Sequence, residues 1–383
     1  MAHQKEKLVG LAKRLLNHNL NGTTDQADEI MIKPVSDYTD DNLIKSEVDK
    51  IFYDHPVPIA LSSELKENNS YKATKAIDTP VLVTRDNNGV IRAFINICKH
   101  RGAPVCPEGS GIKSRFNCTY HGWMYDNCGQ LVNIFKSDTF GDIDTTKIKL
   151  TELFCEERSG FIWVCLNPDI KYNLDEWMSG FDTELDDIDL KNWHLFSSIK
   201  LNGPRWKICW DGYLDGYHHH MVHPETVGKN TIVNLIAHDT FGPHQRFAFG
   251  LKNINELSNI EEKDWEPENH LRLIHSIFPN SSISAIQNQH CLISIVFPTP
   301  DLQGTITTQY ILCLKEPKTD KEIKEAKDFA KLALVSIEDE DYPINFMIQD
   351  TINSKANTEF MFGKNEPIQQ HYHQWIDKLS NQD

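Results

Sequence analysis

The sequence predicts an α+β protein with a small all-β domain followed by a domain of mixed strands and helices. Short β-branched and aromatic runs separated by turn signals fill residues 51–167, whereas longer strands and then helices follow. The 383 residues are 39% hydrophobic, which is enough to fill such cores. A mean hydropathy of −0.47 argues against a membrane protein.

Residues 1–48 predict a helical arm. Leu8, Leu11, Leu15 and Leu16 recur at helical spacing, and the acidic segment at 37–41 could open another helix. This pattern lacks the unbroken apolar run of a signal peptide, and nine cysteines, an odd number in a long chain, do not indicate a disulfide framework. We therefore expect a cytoplasmic protein in a reducing compartment, with the arm packed on the second domain.

Residues 49–170 predict the all-β domain. The runs Pro80–Thr84 and Val90–Ile95 flank Asp86–Gly89, a strong turn signal, and therefore indicate paired strands. The last strand is expected at Phe161–Leu166, where Asn167 and a following proline end it.

Residues 171–383 predict the mixed domain. Five strands are expected, at Thr231–Ala237, Gln245–Leu251, Ser282–Ile286, Cys291–Phe297 and Thr305–Leu314. The last two should form a hairpin around residues 300–304. A helix with Asp320 as its N-cap should run to about Ser336, a second should span roughly 343–356, and a terminal helix should lie near 369–379.

The charge balance excludes some partners. Lys and Arg total 39 and Asp and Glu total 55, so the net charge is −16. This is the wrong sign for a protein that holds nucleic acid or an anionic membrane surface by releasing counterions. We expect neither nucleic acid nor a membrane as a partner.

Two Cys/His pairs indicate a metal centre in the all-β domain. Cys98 and His100 are followed, after 17 intervening residues, by Cys118 and His121. A structural zinc site usually keeps its cysteines together and its histidines together. One cysteine and one histidine on each loop instead suit a [2Fe–2S] cluster in which two thiolates hold one iron and two imidazoles hold the other.

The sequences around these pairs carry a family resemblance. Asn96–Pro104, which reads Asn-Ile-Cys-Lys-His-Arg-Gly-Ala-Pro, and Cys118–Tyr125, which reads Cys-Thr-Tyr-His-Gly-Trp-Met-Tyr, resemble the two cluster-binding loops of the Rieske family. Gly102 and Gly122 follow the two ligand pairs and would let the backbone approach the cluster.

A second histidine group lies in the mixed domain. Helical spacing would pair His219 with His223, whereas a five-residue separation pairs His218 with His223, and the residues alone leave both open. The pattern Asp215-x-x-His218-x₄-His223-Pro resembles the mononuclear-iron motif of the Rieske non-heme iron oxygenases, α subunit type. The resemblance implies that His218 and His223 bind iron and that Asp215 is an electron-transfer bridge to a cluster histidine of a neighbouring subunit.

The third iron ligand should be a carboxylate from far along the chain, since two histidines and one carboxylate make the facial triad of such oxygenases. The family places a glutamine eight residues after that ligand, and Gln349 selects Asp341, with Asp339 as the second choice. The rest of the acidic run 338–341 is explained as a solvated helix N-terminus.

The resemblance implies a Rieske domain followed by a helix-grip (START/Bet v1-like) catalytic domain. It also implies a terminal oxygenase that uses O₂ and electrons from a separate NAD(P)H-dependent reductase, with or without a ferredoxin, and that assembles as a homotrimer or a higher ring. The chain has no Gly-x-Gly-x-x-Gly fingerprint after a strand, which agrees with a separate reductase. Arg205 and Asp211-Gly212 depart from the family pattern, and no role is assigned to them.

The substrate is expected to be apolar or aromatic. Aromatic residues follow the iron motif at Phe241, Phe247, Phe249, Phe278, Tyr310 and Phe346. Ring dihydroxylation is favoured, with monooxygenation or oxidative demethylation of a methylated amine, ether or other small molecule as the alternative. Two other classes stay open at this level, namely an electron carrier that uses the cluster alone and a zinc-stabilised binding module.

Overall fold

The computed structural model describes residues 2–287 and 289–381. Met1, Asn288, Gln382 and Asp383, which fall in the predicted arm and catalytic domain, lie outside the described residues. The chain folds as two units. One unit contains the N-terminal 48 residues together with 177–188 and the chain from 193 onward, and the other contains 49–176 with the short segment 189–192.

The N-terminal segment of the first unit is mostly helical. It contains α1 (Ala2–Asn21), β1 (Met31–Pro34), α2 (Ser36–Thr39) and α3 (Asp41–Val48). The buried Glu47 of α3 forms an ion pair with Lys207, which is equally buried in the same unit. This pair fixes the segment to the rest of the unit, because removing one partner would leave an uncompensated buried charge.

The second unit is built from short antiparallel strands. They are β2 (Val57–Leu61), β3 (Ser70–Ala76), β4 (Thr79–Arg85), β5 (Ile91–Ile95), β6 (Gly109–Ile112), β7 (Arg115–Asn117), β8 (Met124–Asp126), β9 (Leu131–Asn133), β10 (Glu152–Leu153), β11 (Cys155–Arg158) and β12 (Phe161–Val164), with one short helix, α4 (Ser137–Phe140). They form three sheets in the orders β10-β5-β4-β3-β6, β11-β12-β2 and β7-β8-β9. The predicted β4–β5 turn is present, since Asp86 Oδ1 accepts hydrogen bonds from the Asn88 and Val90 N–H groups at 2.8 and 3.0 Å.

The remaining elements belong to the mixed part of the fold. They are α5 (Leu174–Met178), α6 (Asp182–Asp186), β13 (His194–Gly203), α7 (Trp206–Leu214), α8 (His219–Val222), β14 (Thr231–Phe241), β15 (His244–Leu251), β16 (Leu271–Ile277), β17 (Ser281–Gln287), β18 (His290–Pro298), β19 (Thr305–Cys313), α9 (Asp320–Leu334), α10 (Tyr342–Thr351), β20 (Glu359–Phe362) and α11 (Pro367–Ser380). A π-helical segment, Val335–Asp341, joins α9 to α10. The short strands β1 and β20 pair with each other.

A seven-stranded antiparallel sheet in the order β13-β19-β18-β17-β16-β15-β14 organises this unit. One face packs against α1, where Leu11 and Leu15 join Leu235, Ala248 and Leu271 in one apolar core. Helices α7 and α9 contact β18, and the Tyr213 hydroxyl of α7 donates to Ser294 Oγ at 3.2 Å. The predicted α+β class, with a small all-β domain and a second domain in which helices pack on a sheet, is confirmed.

Several details differ from the predictions. The N-cap of α9 is Thr319, not Asp320, because Thr319 and Glu322 cap each other's backbone N–H groups. Strands β13 and β16 carry no clear alternating pattern and were not predicted. The acidic run 338–341 lies in the π-helical segment of a continuous helical stretch and not at a free helix N-terminus. No helix among the described residues is long and apolar enough to cross a membrane.

Candidate active site

Two matching turns carry the predicted cluster ligands in the second unit. The Cys98 N–H donates to the Ala103 carbonyl at 2.8 Å, and the Cys118 N–H donates to the Trp123 carbonyl at 2.9 Å. In each turn a glycine N–H donates back to the cysteine carbonyl, at 3.0 Å from Gly102 and 2.9 Å from Gly122. Both glycines have φ near +70°, at +77° and +68°, a conformation that a side chain disfavours.

The cysteine thiols of these two turns are buried. Cys98 and Cys118 are each 3% exposed, and Cys98 Sγ lies 3.4 Å from the Tyr125 hydroxyl. Burial raises the pKa of the Cys98 thiol, and the neighbouring Cys118 thiol adds to this effect. A pair of iron-bound thiolates would reverse that preference, since a coordinating thiol is deprotonated outright.

The imidazoles of the turns form the second pair of donors. The rings of His100 and His121 lie 4.5 Å apart, and His100 stacks on Trp123 at 4.9 Å and 8°. Within the described chain, His100 Nδ1 is buried and has no hydrogen-bond partner. A buried nitrogen without a partner is costly unless a ligand occupies it. Two thiols and two imidazoles on paired turns therefore fit a [2Fe–2S] cluster held by two ligands of each kind.

The predicted iron ligands converge in the first unit. His218 and His223 cap the two ends of α8, and Asp341 ends the π-helical segment. His218 Nε2 lies 3.1 Å from His223 Nε2 and 3.2 Å from Asp341 Oδ1, and His223 Nε2 lies 2.8 Å from the same oxygen. Donor atoms that share a metal at bond lengths of about 2.1 Å and right angles lie roughly 3 Å apart. The three donors therefore fit one metal ion.

A carboxylate orients each histidine from behind. His218 Nδ1 lies 3.1 Å from Asp215 Oδ2, and His223 Nδ1 lies 2.7 Å from Glu340 Oε2. Thr226 Oγ1 donates to the same Glu340 oxygen at 2.6 Å. A proton held on each Nδ1 leaves each Nε2 lone pair free to face the common point. Sequence reasoning missed Glu340, although its position next to Asp341 was a usable signal.

The electrostatics of this group favour positive charge at its centre. Burial opposes protonation of His218, but hydrogen bonds to Asp215 and Asp341 outweigh it and raise its pKa to about 9. Burial also disfavours the charged Asp341, yet His218 and His223 hold the pKa of its carboxyl below its usual value. A bound cation would take the place of the protons that these groups attract, as metal binding requires.

The other two histidines of the run do not belong to this set of donors. His219 is buried, packs on the Phe249 ring at 4.9 Å between centroids, and has a pKa lowered to about 3 by burial. His220 is exposed. The structure thus pairs His218, and not His219, with His223. Asp339, the second choice for the carboxylate, is exposed and is not part of the group.

A cavity of about 220 Å³ opens from the three donors. Its apolar lining includes Phe249, Leu251, Ile274, Leu292, Phe329 and Leu332. Of the six aromatic residues predicted as pocket candidates, Phe249 alone lines this cavity within the described chain. Phe247, Phe278 and Tyr310 are buried in packing, and Phe346 is exposed. The expectation for those residues was wrong, because aromatic content does not reveal which side of a strand or helix faces the site.

Two protein families match the chain in succession. Residues 55–145 match the Rieske [2Fe-2S] domain, and residues 174–381 match the catalytic domain of the ring hydroxylating alpha subunit. The second match covers more than half of the chain. The chain belongs to the Rieske non-heme iron oxygenases. Members of this family are oxidoreductases that use O₂ and hold a Rieske cluster and a mononuclear iron.

Curated relatives of this Rieske oxygenase carry different activities in their names. It is 29% identical over 188 residues to the chlorobenzene dioxygenase subunit alpha of Cupriavidus sp. strain PS12, covering 46% of this chain and 41% of that protein. It is 32% identical over 200 residues to the choline monooxygenase of Beta vulgaris, covering 50% and 44%. The carnitine monooxygenase oxygenase subunit of Escherichia coli K12 is 27% identical over 194 residues, covering 50% and 52%. The matched segments thus span about half the length of these relatives.

Solved structures share the fold of this Rieske oxygenase over most of their length. A quaternary ammonium Rieske monooxygenase in complex with L-carnitine superposes with a TM-score of 0.77 at 21% identity, covering 94% of this chain and 97% of that one. A naphthalene 1,2-dioxygenase from Rhodococcus sp. bound to indole gives a TM-score of 0.73 at 19% identity, covering 98% and 99%.

The positions that depart from the family pattern have structural contacts. Arg205 precedes α7, and its N–H donates to Gln349 Oε1 of α10 at 2.6 Å. Asp211 accepts hydrogen bonds from the Tyr38 hydroxyl at 2.7 Å and from the His373 ring at 2.8 Å. These contacts join helices close to the His218, His223 and Asp341 donors, and no role was predicted for them from the sequence.

Proposed function

We propose that this chain is the terminal oxygenase component of a multicomponent system. It uses O₂ and electrons from a separate NAD(P)H-dependent reductase, directly or through a ferredoxin, to hydroxylate a small organic substrate with an apolar or aromatic body. The observation that carries the proposal is the convergence of the His218, His223 and Asp341 donor atoms at the end of a largely apolar cavity. Such a triad leaves positions open for O₂ beside a bound substrate.

Some residues of this site would hold the metal ligands in position, and others would shield the substrate from water. Bound at the three donors, iron(II) would supply the O₂ chemistry, and the cluster would supply its electrons. Asp215 and Glu340 hold the two histidine rings in position through their Nδ1 atoms. Phe249, Leu251 and Leu292 wall the substrate space and exclude water from it.

The outcome of the reaction has two candidates. Dihydroxylation of an aromatic ring is favoured for a substrate that contains one, and monooxygenation or oxidative demethylation is the alternative. Both have support among the relatives, which include a chlorobenzene dioxygenase and carnitine and choline monooxygenases. Mass spectrometry of products formed with a surrogate reductase separates them, because dihydroxylation adds two oxygen atoms, monooxygenation adds one, and oxidative demethylation removes a CH₂ unit that leaves as formaldehyde.

We also infer that the chain assembles head-to-tail in a ring, most simply a homotrimer, in which Asp215 of one subunit connects its iron to a cluster histidine of the next. Exposed apolar side chains near each centre support an interface. Tyr217 and Met221 lie within the proposed iron motif at 56% and 80% exposure, and Tyr120 adjoins the predicted cluster ligand His121 at 60% exposure. A heterologous contact of this kind forms a ring when its rotation closes.

Replacement of the carboxylate ligand tests the proposal. The protein should contain about three irons per chain, two of them in the cluster. Asp341→Ala should keep the visible absorbance of the cluster but lose the mononuclear iron and at least 100-fold of the substrate-dependent O₂ uptake. Asp339→Ala, two residues away and exposed, is the matched control and should keep both.

The other classes give different results in the same experiment. An electron carrier would contain two irons per chain and would show no O₂ uptake with any reductase. A zinc-stabilised module would be colourless. Either result, or unchanged turnover in Asp341→Ala, would contradict the proposed function.

A further inference from the structure

Arg272 places a positive charge in the wall of the candidate substrate cavity. It lies on β16, and the alternation of that strand turns Leu271 and Leu273 toward the core beneath α1. Arg272 and Ile274 take the opposite face and line the cavity that also contains the three iron-binding donors. Phe249, Leu251 and Leu292 also line this cavity, so a guanidinium among them calls for an explanation.

No carboxylate within the described residues neutralises this guanidinium. Its Nη1 donates to the backbone carbonyls of Leu271 at 3.1 Å and Glu268 at 3.3 Å, and it forms no ion pair with any described acidic side chain. Asp341, already committed to His218 and His223, is the one acidic residue among the described side chains that line the cavity. Burial alone lowers the pKa of Arg272, with no carboxylate to raise it.

Arg246 on the neighbouring strand is a useful comparison, because carboxylates neutralise its charge. Arg246 of β15 lies between two carboxylates, with Asp239 at 2.7 Å on one side and Glu184 on the other. Arg272 is on the next strand and lacks any such partner among the described residues. A half-buried cation without a counter-charge is unfavourable, because its desolvation is not offset. An incoming anion would remove this penalty.

The position of Arg272 also suits a two-part ligand. Arg272 pairs directly across the sheet with Phe249, so both side chains stand on the same face. The Phe249 ring reaches His219, which lies between the ligands His218 and His223 in the chain. An anionic group bound to Arg272 would therefore lie next to Phe249. The rest of the ligand could extend along the Phe249 ring toward the iron-binding donors.

We propose that Arg272 binds the carboxylate of an organic acid substrate whose hydrocarbon body lies along Phe249 toward His218, His223 and Asp341. The inference rests on the proposed oxygenase function and specifies its substrate class. Arginine suits this task because its planar fork donates two parallel hydrogen bonds to one carboxylate. A substrate with a cationic group and no anionic group is disfavoured, because Arg272 would repel it.

Binding measurements test the proposal without turnover. The anaerobic holoenzyme would be titrated calorimetrically with benzoate, phenylacetate, cyclohexanecarboxylate and hexanoate, and with the primary amide of each acid. At least one acid should bind tenfold or more tightly than its amide. In Arg272→Gln that preference should disappear while the affinity for the amide changes less than threefold, and Arg272→Lys should recover part of it. Arg115→Gln is the matched control, because it removes the charge of an exposed arginine that is far from Arg272 in the sequence.

The outcomes separate this proposal from the oxygenase function. If no acid of the panel is preferred over its amide by the wild-type protein, or if Arg272→Gln keeps the preference, the carboxylate site is overturned even when another substrate is oxygenated. If acids bind through Arg272 but no compound is oxygenated, the carboxylate site stands and the proposed activity fails. Should Arg272→Gln not fold, the acid-to-amide preference of the wild-type protein and of Arg272→Lys decides the matter.

Discussion

At the scale of single residues, the proposed iron-binding group depends on the contacts behind its three donors. An imidazole has two nitrogens, and the one that binds a metal must carry a lone pair. In His218 and His223 the carboxylates of Asp215 and Glu340 accept hydrogen bonds from Nδ1–H. The lone pair is therefore on Nε2 in both rings. Thr226 in turn holds Glu340. The ligand rings are therefore oriented before any metal arrives, which lowers the cost of binding it.

Glu340→Gln should weaken the mononuclear iron site. The amide can still contact Thr226 but no longer offers a charged acceptor to His223, so iron affinity should fall by about 10- to 100-fold. Chelator competition on the reconstituted protein measures this affinity, and the visible absorbance of the cluster should stay unchanged. Asp339→Asn removes a charge from the adjacent exposed position and should have little effect. Equal iron affinity in Glu340→Gln and wild type would show that Glu340 does not support the site.

At the scale of secondary-structure elements, the π-helical segment Val335–Asp341 builds one side of the site. Its wider turn lies inside a helical stretch that begins at Asp320 and ends at Thr351. Segments of this kind are rare and occur often at functional sites. Here it places consecutive carboxylates, Glu340 and Asp341, against the same histidine, since Glu340 meets His223 Nδ1 and Asp341 meets its Nε2.

Sequence patterns predicted the elements whose periodicity is clean. The hairpin β18–β19 and the strands β4 and β5 with their turn were predicted because apolar alternation and Asp86–Gly89 mark them. Strand β16 escaped because Arg272 and His275 interrupt its apolar run at buried or half-buried positions. These two residues are the arginine proposed above to bind the substrate carboxylate and a histidine whose pKa is lowered by burial. The position of Glu340 beside Asp341 made it a candidate, but its contact with the His223 ring was not predicted, because that contact is formed only in the tertiary structure.

The buried histidine of β16 should make the fold sensitive to acid. Burial, aided by Arg246 and Lys7, lowers the pKa of His275 to about 3. An unfolded chain binds a proton at this residue below pH about 6.5, while the folded chain does not until pH nears 3, so stability falls as the pH drops through that window. The contribution is about 1.4 kcal/mol per pH unit.

Urea unfolding at pH 7, 6 and 5 measures this effect. His275→Gln should reduce the loss of unfolding free energy between pH 7 and pH 5 by about 2 kcal/mol, whatever its effect at pH 7. The same substitution at the half-buried His194, His194→Gln, is the matched control. An identical loss in both variants would exclude His275 as the source.

At the scale of the whole molecule, the two metal-binding groups are independent in construction. Cys98, His100, Cys118 and His121 all lie in one unit, and His218, His223 and Asp341 all lie in the other. Each group takes all of its predicted ligands from a single unit. A substitution in one centre should therefore leave the other centre able to form. This independence makes it possible to prepare subunits that each lack a single centre.

Mixed rings of two inactive variants should recover activity if electrons pass between subunits. Cys118→Ala removes a cluster ligand and His218→Ala removes an iron ligand, so each variant alone should be inactive. In a three-membered ring that contains both variants, one subunit of the three has an iron site and faces a neighbour with a cluster, so about a third of wild-type O₂ uptake should return. Co-expressed, differently tagged chains purified over both tags provide the sample.

Adding Asp215→Ala to the Cys118→Ala chain should abolish the recovery, because that chain's iron would lose its link to the neighbouring cluster. No recovery in rings that contain both variants would show that each iron depends on the cluster of its own chain.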